Sequence, residues 1–219
     1  MSTEFQRARN EQQRAIRREA ILSTAAQMLE RTRVFELTLN ELARQVGLAK
    51  SNVLRYFESR EAVLLELYDR EYRSWLDALE IVLAGLTNAE DVADAIADSV
   101  VRRPVFCELC ASASGVLEHN VSGEVARDYK LAAIANAERL GELVLPRVGR
   151  FRRDAGITFV GGMNLIIGGT WAATQPSPGM AAAYASDPEL LAMQWDLRVA
   201  IRELTATLLI GLLNRKPRA

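Results

Sequence analysis

Apolar residues recur at steps of three and four along almost the whole chain, and this helical period limits the possible folds more than any other feature. Breaks in the pattern coincide with the six prolines: Pro104, Pro146, Pro176, Pro178, Pro188 and Pro217. Because proline interrupts a helix interior, we place segment ends near them. The sequence predicts an all-α protein with helices near residues 10–31, 38–46, 50–57, 59–86, 89–102, 104–118, 122–145, 152–174 and 188–214. The stretch QPSPGMAAAYASDP is predicted as the one long loop.

Two short helices joined by a tight turn are predicted between Thr38 and Glu61, in the stretch TLNELARQVGLAKSNVLRYFESRE. The first begins at a capping box, in which Glu41 follows Thr38 by three residues. It ends at Gly47, because glycine adopts the left-handed conformation at little cost. The second begins near Lys50, and so short a connection between two helices indicates a helix-turn-helix.

The second of these helices has an apolar side and a polar side. At about 100° per residue, Val53, Leu54 and Phe57 fall on the apolar side. The opposite side carries four polar residues: Ser51, Asn52, Arg55 and Tyr56. An Asn amide suits adenine edges, an Arg guanidinium suits guanine or phosphate, and Lys50 lies at the helix N-terminus, where phosphate is favoured. This mixture favours a surface that reads the major groove of DNA over an ordinary solvated face.

Charge is distributed unevenly along the chain. Residues 1–60 contain eleven Lys or Arg and seven Glu, a net charge of +4, which leaves −5 for the remainder of a chain whose total is −1. The chain as a whole is therefore not a binder of polyanions, and any affinity for phosphate must come from local placement in the first sixty residues.

The segment LNELARQVGLAKSNVLRYFESREAVL resembles the DNA-binding domain of the TetR family of bacterial regulators. The resemblance implies an N-terminal three-helix, helix-turn-helix DNA-binding domain at residues 1–60. It implies a helical ligand-binding and dimerisation domain at residues 61–219. It also implies phosphate contacts by five residues: Thr38, Arg44, Lys50, Tyr56 and Arg60. Base-edge contacts are implied for Ser51, Asn52 and Arg55.

Two positions depart from the family pattern. Leu54 stands where Tyr is common, which removes one phosphate partner, and Ala49 stands where Ser or Thr commonly caps the recognition helix. A missing cap costs roughly 1 kcal/mol of helix stability. An alternative therefore stays open, a helical dimeric interaction protein or small-molecule carrier with a vestigial helix-turn-helix. Four outward basic residues argue against this alternative: Arg44, Lys50, Arg55 and Arg60.

The last predicted helix carries a seam of apolar residues at three- and four-residue steps: Leu190, Met193, Leu197, Ile201, Leu204, Leu208 and Leu212. The preceding segment, 155–173, contains no charged residue. Four of its five glycines would let helix backbones approach closely: Gly161, Gly162, Gly168 and Gly169. We predict a homodimer face built from these two helices, with Leu197, Ile201, Leu204 and Leu208 at its centre. Packing of the same residues within one chain is the alternative.

A membrane span at residues 155–173 is a further possibility, because the segment is long and uncharged and follows several arginines. Its glycines, Asn164 and two threonines weaken its hydrophobicity. A helix that is apolar all round is equally expected between a core and a partner subunit. We therefore predict no membrane partner.

The middle of the chain carries aromatic and other apolar residues that suit a cavity for a small apolar or amphipathic ligand: Trp75, Phe106, Leu109, Tyr129, Phe159, Met163 and Trp171. Asn164 or His119 would supply a polar contact. Residues of this kind at helical spacing are also typical of plain core, and that alternative stays open.

Cys107 and Cys110 are predicted to be buried packing residues, because they are too few for a disulfide framework and share their segment with apolar neighbours. The only histidine, His119, lies nine residues after Cys110, so a metal site is not expected. No catalytic constellation or phosphate-binding glycine loop is present, which predicts a protein that is not an enzyme and has no cofactor. The N-terminal segment lacks the apolar core of a signal peptide, which predicts a cytoplasmic location.

These observations together predict a transcriptional repressor. We expect it to bind a palindromic double-stranded DNA operator as a homodimer and to be released by a small molecule. A two-fold protein on a two-fold operator doubles the contacts that one short recognition helix makes.

Overall fold

The computed structural model describes residues 2–151 and 155–215, with the side chains of the first helix described from residue 11 onward. Within these residues the chain is helical and has no strand, which confirms the all-α prediction. The helices are α1 Ser2–Leu29, α2 Leu39–Val46, α3 Lys50–Val53, α4 Arg60–Val82, α5 Ala89–Val101, α6 Pro104–Ser112, α7 Gly123–Val148, α8 Ala155–Ala173, α9 Pro178–Ser186, α10 Pro188–Leu191 and α11 Leu197–Leu213. A 3₁₀ turn, Leu117–His119, precedes α7.

Helix α4 connects the N-terminal unit, which consists of α1, α2 and α3, to the rest of the chain. Helices α1 and α2 pack on each other, and α1 packs on α4. Further along, α4 contacts α5, α6 and α7, while α8 lies against α6, α7 and α11. One continuous cluster of buried apolar residues runs through both regions. The N-terminal unit is therefore held on a shared hydrophobic core.

Thr38 caps α2 at its start and Gly47 caps it at its end, as the sequence predicts, and Ser59 caps α4. The Thr38 hydroxyl accepts a hydrogen bond from the Glu41 N–H at 3.2 Å, and the Ser59 hydroxyl accepts from the Ala62 N–H at 3.1 Å. Gly47 ends α2 at φ 73°, in the left-handed region. Ala49 makes no side-chain cap before α3, and α3 is regular only to Val53 before it continues as turns. The predicted helix 50–57 is thus shorter than expected.

The predicted loop near residue 180 is wrong, because α9 lies within it. Ser177 caps α9 by accepting from the Met180 N–H at 3.3 Å, and Pro178 occupies the first turn, where a missing N–H costs nothing. The predicted helix 188–214 is also wrong, since α10 and α11 are separate. Asp196 begins α11 as an N-cap, accepting from the Val199 N–H at 2.9 Å.

Further helix ends differ from prediction. Helix α1 begins at Ser2 rather than near residue 10, and α4 ends at Val82 rather than near residue 86. Helix α7 includes Pro146 and continues to Val148. A proline near the end of a helix removes one hydrogen bond of the last turns and leaves the rest intact. Helix α6 ends at Ser112, although we predicted it to continue to residue 118.

Helix α8 uses two of its glycines for packing within the chain. A Cβ at Gly162 would stand 2.7 Å from the Leu208 side chain of α11, and one at Gly168 would stand 3.2 Å from the backbone of Cys110 and Ala111 in α6. Helix α8 is long and apolar enough to cross a bilayer by length and composition. In this fold it lies among α6, α7 and α11 instead.

Candidate DNA-binding surface and ligand-binding core

The recognition helix presents polar side chains on a buried apolar base. Val53 is fully buried and Phe57 is nearly so. Four residues of the predicted reading face are exposed or partly exposed: Ser51, Asn52, Arg55 and Tyr56. Lys50, at the start of the helix, is exposed as well. The fold therefore leaves the predicted DNA-facing side chains of this helix exposed or partly exposed.

Leu54 does not share the buried side with Val53 and Phe57. Its side chain is 42% exposed, which corrects the sequence-based assignment. The Leu54 N–H still donates to the Lys50 carbonyl at 3.0 Å, so Leu54 follows Val53 by the helical angle of about 100° and lies at the margin of the apolar side. The outward surface thus includes one apolar side chain among its polar ones.

Arg44 is exposed but already paired. Its guanidinium donates two hydrogen bonds to the Glu41 carboxylate, at 2.9 Å and 2.5 Å. The hydrogen bond from Arg44 lowers the pKa of Glu41, with Gln45 contributing in the same direction. Thr38 is exposed beside this pair. A phosphate bound by Arg44 would have to compete with the Glu41 carboxylate.

Arg60 has a structural role that its sequence position did not suggest. Its guanidinium donates to the Leu37 carbonyl at 3.1 Å and to the Glu61 carboxylate at 2.8 Å, and its side chain is only 21% exposed. These contacts hold the α1–α2 connection against the start of α4. A phosphate bound by Arg60 would have to compete with the Glu61 carboxylate and the Leu37 carbonyl.

Arg18 of α1 is a residue that sequence reasoning missed. It donates to the Tyr56 carbonyl, pairs with Glu66 of α4, and lies 4.2 Å over the Phe57 ring. The available signal was its position one turn before the buried residue Ile21, which continues the apolar side of α1. Arg18 fixes the end of the recognition segment to α1 and α4.

The ligand-binding domain contains a packed cluster of five aromatic rings: Tyr68, Tyr72, Trp75, Phe106 and Tyr129. Ring centroids in the cluster are 5.0 Å apart for Trp75 and Phe106 and 6.4 Å apart for Tyr68 and Tyr129. The Trp75 indole N–H donates to the Ser99 hydroxyl at 2.9 Å. Sequence reasoning missed Tyr68 and Tyr72, although they lie seven and three residues before Trp75, on the same side of α4.

The seven residues predicted to line one cavity all belong to the continuous apolar core or pack against it. Trp75, Phe106 and Tyr129 share the aromatic cluster, and Leu109 and Phe159 are fully buried core residues. The remaining two have polar contacts elsewhere. The Met163 sulfur accepts a hydrogen bond from the Thr205 hydroxyl of α11 at 3.6 Å, and the Trp171 N–H donates to Glu108 at 2.8 Å. The prediction that these seven residues line a ligand cavity therefore stays a prediction.

Polar atoms are buried beside the aromatic cluster. The Tyr72 hydroxyl and the Asn164 side-chain oxygen are buried and have no hydrogen-bond partner among the described residues. The Cys110 thiol donates to the backbone carbonyl of Asn164 at 3.4 Å. Such unpaired groups cost roughly 1–3 kcal/mol each when no water or ligand satisfies them. His119, the other predicted polar contact, lies in the 3₁₀ turn before α7.

Both cysteines are buried free thiols, as their apolar surroundings predicted. Burial raises the pKa of Cys107 to about 12 and that of Cys110 to about 11. The thiols are therefore protonated at neutral pH and unreactive as nucleophiles. Within the described residues, no group of three His, Cys, Asp or Glu could hold a metal ion.

Helices α8 and α11 expose apolar side chains to solvent. Ile157 and Leu165 of α8 are 86% and 78% exposed, and Val199 and Leu204 of α11 are also exposed. An open cleft of about 440 Å³ is lined mainly by the segment before α11 and its first turns, including Trp195, Val199 and Leu204. This apolar surface has no cover within the described chain.

The predicted interface residues of α11 do not all reach that surface. Leu197 and Leu208 are half-buried, and Leu208 packs on Gly162 of the same chain. Ile201 is fully buried in the chain's own core, so it cannot contact a partner. The seam read from the sequence thus combines two faces of one helix, and only Leu204 of the predicted four is clearly outward.

Comparison with protein families covers most of the chain. Residues 21–67 match the family described as bacterial regulatory proteins, tetR family. Residues 69–216 match the family described as tetracyclin repressor-like, C-terminal domain. The first match contains the helix-turn-helix, and the second contains α8 to α11 and four rings of the aromatic cluster, those of Tyr72, Trp75, Phe106 and Tyr129.

Curated relatives are similar over part of their length. The HTH-type transcriptional regulator EthR of Mycobacterium tuberculosis is 34% identical over 110 residues, which are 49% of this chain and 47% of that protein. The protein of the same name from Mycolicibacterium smegmatis is 42% identical over 53 residues, which are 24% of each chain. The alignments therefore span less than half of these relatives.

Solved structures share the fold over nearly the whole chain. Thermus thermophilus FadR, described as a TetR family transcriptional repressor in complex with lauroyl-CoA, has a TM-score of 0.56 and 22% identity over 92% of this chain and 98% of that one. Bacillus subtilis FadR in complex with stearoyl-CoA has a TM-score of 0.51 and 12% identity over 88% of this chain and 98% of that one. At these identities the likeness concerns the fold alone.

Proposed function

Because the chain belongs to the TetR family of bacterial transcriptional regulators, we propose that it is a repressor that binds a palindromic operator as a homodimer and is released by a small molecule. The observation that carries the proposal is the exposed set Lys50, Ser51 and Asn52 on a helix whose opposite side is anchored by buried Val53 and Phe57. A side chain on such a base is held in place before DNA arrives. This preorganisation favours specific recognition.

The exposed residues divide into reading and positioning roles. Asn52 and Ser51 are proposed to contact base edges, where an amide can accept and donate to adenine. Arg55 extends this surface towards guanine or phosphate. Leu54 is exposed beside them and offers an apolar contact of the kind that recognises a thymine methyl group. Lys50 is proposed to hold a phosphate.

Three further residues are proposed as phosphate contacts: Thr38, Arg44 and Tyr56. Thr38 and Arg44 lie at the exposed edge of α2, and Tyr56 follows the recognition helix. Arg44 would exchange Glu41 for phosphate, which makes its contribution smaller than that of a free arginine. Each phosphate contact adds affinity that falls with salt and carries no sequence information.

The homodimer is proposed to form through the outward surfaces of α8 and α11. Ile157, Leu165, Val199 and Leu204 supply exposed apolar contacts there. Apolar patches of this kind on a soluble chain are typical of interfaces. Dimerisation would place two recognition helices against successive half-sites of the operator.

The ligand is proposed to be small and apolar or amphipathic, and to enter the region of the aromatic cluster. Aromatic rings supply apolar contact, and the unpaired Tyr72 hydroxyl and Asn164 oxygen supply polar contacts. Because the rings are in contact with one another, a ligand must displace some of them. The acyl-CoA complexes of the two FadR proteins make lauroyl-CoA a suitable first probe.

Operator and ligand are proposed to favour different arrangements of the same dimer. A ligand that binds better to one arrangement lowers the affinity for operator, and operator lowers the affinity for ligand by the same factor. No catalytic step is needed for this action, and the protein is expected to act in the cytoplasm. The carrier alternative predicts ligand binding without any preference among DNA sequences.

A selection from random duplexes at near-physiological salt tests the proposal. We expect enrichment of a palindromic sequence, bound by a dimer in sedimentation and released by lauroyl-CoA or another amphipathic compound. Failure to enrich any sequence would contradict the regulator proposal in its DNA-binding part. Enrichment without two-fold symmetry would contradict the proposed homodimer.

A further inference from the structure

A buried carboxylate, Glu108, lies where the N-terminal unit meets the rest of the chain. Its side chain belongs to α6, and the residue is 7% exposed. One carboxylate oxygen accepts from the Val34 backbone N–H at 2.9 Å. The other accepts from the Arg33 guanidinium at 2.6 Å and from the Trp171 indole N–H at 2.8 Å. Three donors therefore converge on one side chain.

These donors come from two separate parts of the chain. Arg33 and Val34 lie in the connection between α1 and α2, immediately before the helix-turn-helix, whereas Trp171 lies in the last turn of α8. Arg33 also donates to the Gln175 side chain at 3.4 Å, and its guanidinium lies 5.9 Å from the centre of the Trp171 ring. Glu108 thus ties the DNA-binding unit to both α6 and α8.

The neighbours of Glu108 on α6 reach the ligand-binding core. Phe106 is fully buried and contacts Trp75 and Tyr72 with ring centroids 5.0 Å and 5.4 Å away, and Leu109 is fully buried as well. A short helix moves as one rigid element. A ligand that displaces the ring of Phe106 therefore acts on the same element that carries Glu108.

The three hydrogen bonds to Glu108 are expected to form together and to break together. Burial would by itself raise the pKa of Glu108, but hydrogen bonds from Trp171 and the Val34 N–H, together with Arg33, lower it below its usual range. The carboxylate is therefore charged at neutral pH. A buried carboxylate that has lost its hydrogen-bond donors is strongly unfavourable. A cluster in which only some of the hydrogen bonds to Glu108 are broken is therefore less stable than one that has opened and exposed the carboxylate to water.

We infer that Glu108 is a positioning residue, which sets the orientation of the recognition helix by holding the Arg33–Val34 connection against α6 and α8. Movement of α6 on ligand binding would release this orientation. The inference rests on the proposed function, because the orientation matters only when two recognition helices bind one operator. The contacts of Glu108 would link the ligand-binding domain to the DNA-binding unit in addition to helix α4, which runs continuously between the two.

Half-site spacing provides a test that separates orientation from affinity. The operator obtained by random-duplex selection is lengthened or shortened at its centre by one base pair, and a single half-site duplex is prepared. Fluorescence anisotropy then measures the binding of the wild-type protein, Glu108→Gln and Arg33→Gln to each duplex. We expect half-site affinity to change by no more than about twofold, while the preference for the selected spacing falls by about tenfold.

Two more variants control the measurement. Asp77→Asn removes an exposed ion pair with Arg139, at 2.7 Å, that lies wholly within the ligand-binding domain, and it should keep the wild-type spacing preference. Trp171→Phe removes the indole N–H from the cluster while an aromatic ring remains at that position, and it should give an intermediate loss. Thermal unfolding identifies any variant that does not fold, and Arg33→Gln, at a partly exposed position, carries the test if Glu108→Gln does not fold.

The outcomes distinguish this inference from the proposed function. A folded Glu108→Gln or Arg33→Gln protein with the wild-type spacing preference overturns the inference. A wild-type protein that binds its operator but tolerates every spacing equally also overturns it. A wild-type protein that binds no operator overturns the proposed function and this inference together.

Discussion

The N-terminal unit and the ligand-binding domain are both built from helices on one hydrophobic core, but they place their candidate functional residues differently. In the N-terminal unit, Ser51 and Asn52 are exposed on a frame anchored by Val53. In the ligand-binding domain, Trp75 and Phe106 are fully buried and in contact with each other. DNA can meet a preformed surface, whereas a small molecule must open a packed core. Binding in the second region is therefore linked to movement.

The largest expected effect tests the packed state of the ligand-binding core. Phe106→Ala should lower the free energy of unfolding by about 3–5 kcal/mol, because it leaves a cavity among Tyr68, Tyr72 and Trp75. Chemical denaturation of the variant and the wild type measures this loss. A decrease below about 1 kcal/mol would mean that the cluster is already loose, and would break the comparison between the two regions.

The next prediction separates the outer and inner sides of α11. Leu204→Glu changes an outward residue, so we expect a folded monomer whose operator affinity falls by about a hundredfold, because two linked recognition helices bind far better than one. Leu208→Glu changes a residue packed on Gly162 and should lower the stability of the single chain.

Sedimentation and thermal unfolding together measure these two effects. A Leu204→Glu protein that remains dimeric at micromolar concentration would contradict the proposed interface. A Leu208→Glu protein as stable as the wild type would contradict the packing of α8 on α11.

A smaller effect is expected at the unpaired hydroxyl of Tyr72. Tyr72→Phe should leave the free energy of unfolding unchanged or raise it by up to about 1 kcal/mol, because the buried hydroxyl has no partner to lose. Affinity for an amphipathic ligand should fall if the hydroxyl contacts the ligand. Denaturation and ligand titration by tryptophan fluorescence measure the two quantities. A clear loss of stability would show that the hydroxyl is already satisfied and would weaken the distinction drawn here.

The two regions also differ in how far sequence reasoning reached. The helix-turn-helix was predictable because caps, the left-handed Gly47 and the polar side of the recognition helix are local features. The intrachain partners of Arg60 could not be predicted, because the Leu37 and Val34 carbonyls lie far before it in the chain. Leu54 was misplaced because it lies at the margin of the apolar side, about 100° around the helix from Val53, where the sequence pattern does not distinguish a buried from an exposed residue.

In the ligand-binding domain, the decisive contacts are long-range. The apolar seam of α11 indicated a packing helix, but both partner-facing and core-facing residues share that pattern, so Ile201 could not be separated from Leu204. The hydrogen bond from Trp171 to Glu108 could not be predicted from the sequence, because it joins residues 63 positions apart. The glycines of α8 suggested close approach, and only the fold identifies Leu208 and Cys110 as their neighbours.

The central claim is that the N-terminal unit carries separate reading and positioning residues on one exposed surface, and paired substitutions at Asn52 and Lys50 test it most directly. Asn52→Ala should cost about 1–3 kcal/mol on the selected operator, relax the preference at one position and leave binding to random duplex nearly unchanged. Lys50→Ala should weaken operator and random duplex alike and reduce the salt slope by about one unit. Binding of both variants, measured against both duplexes over a series of salt concentrations, gives the comparison. If the two variants behave identically, or if neither differs from the wild type, the division of roles on this surface is wrong.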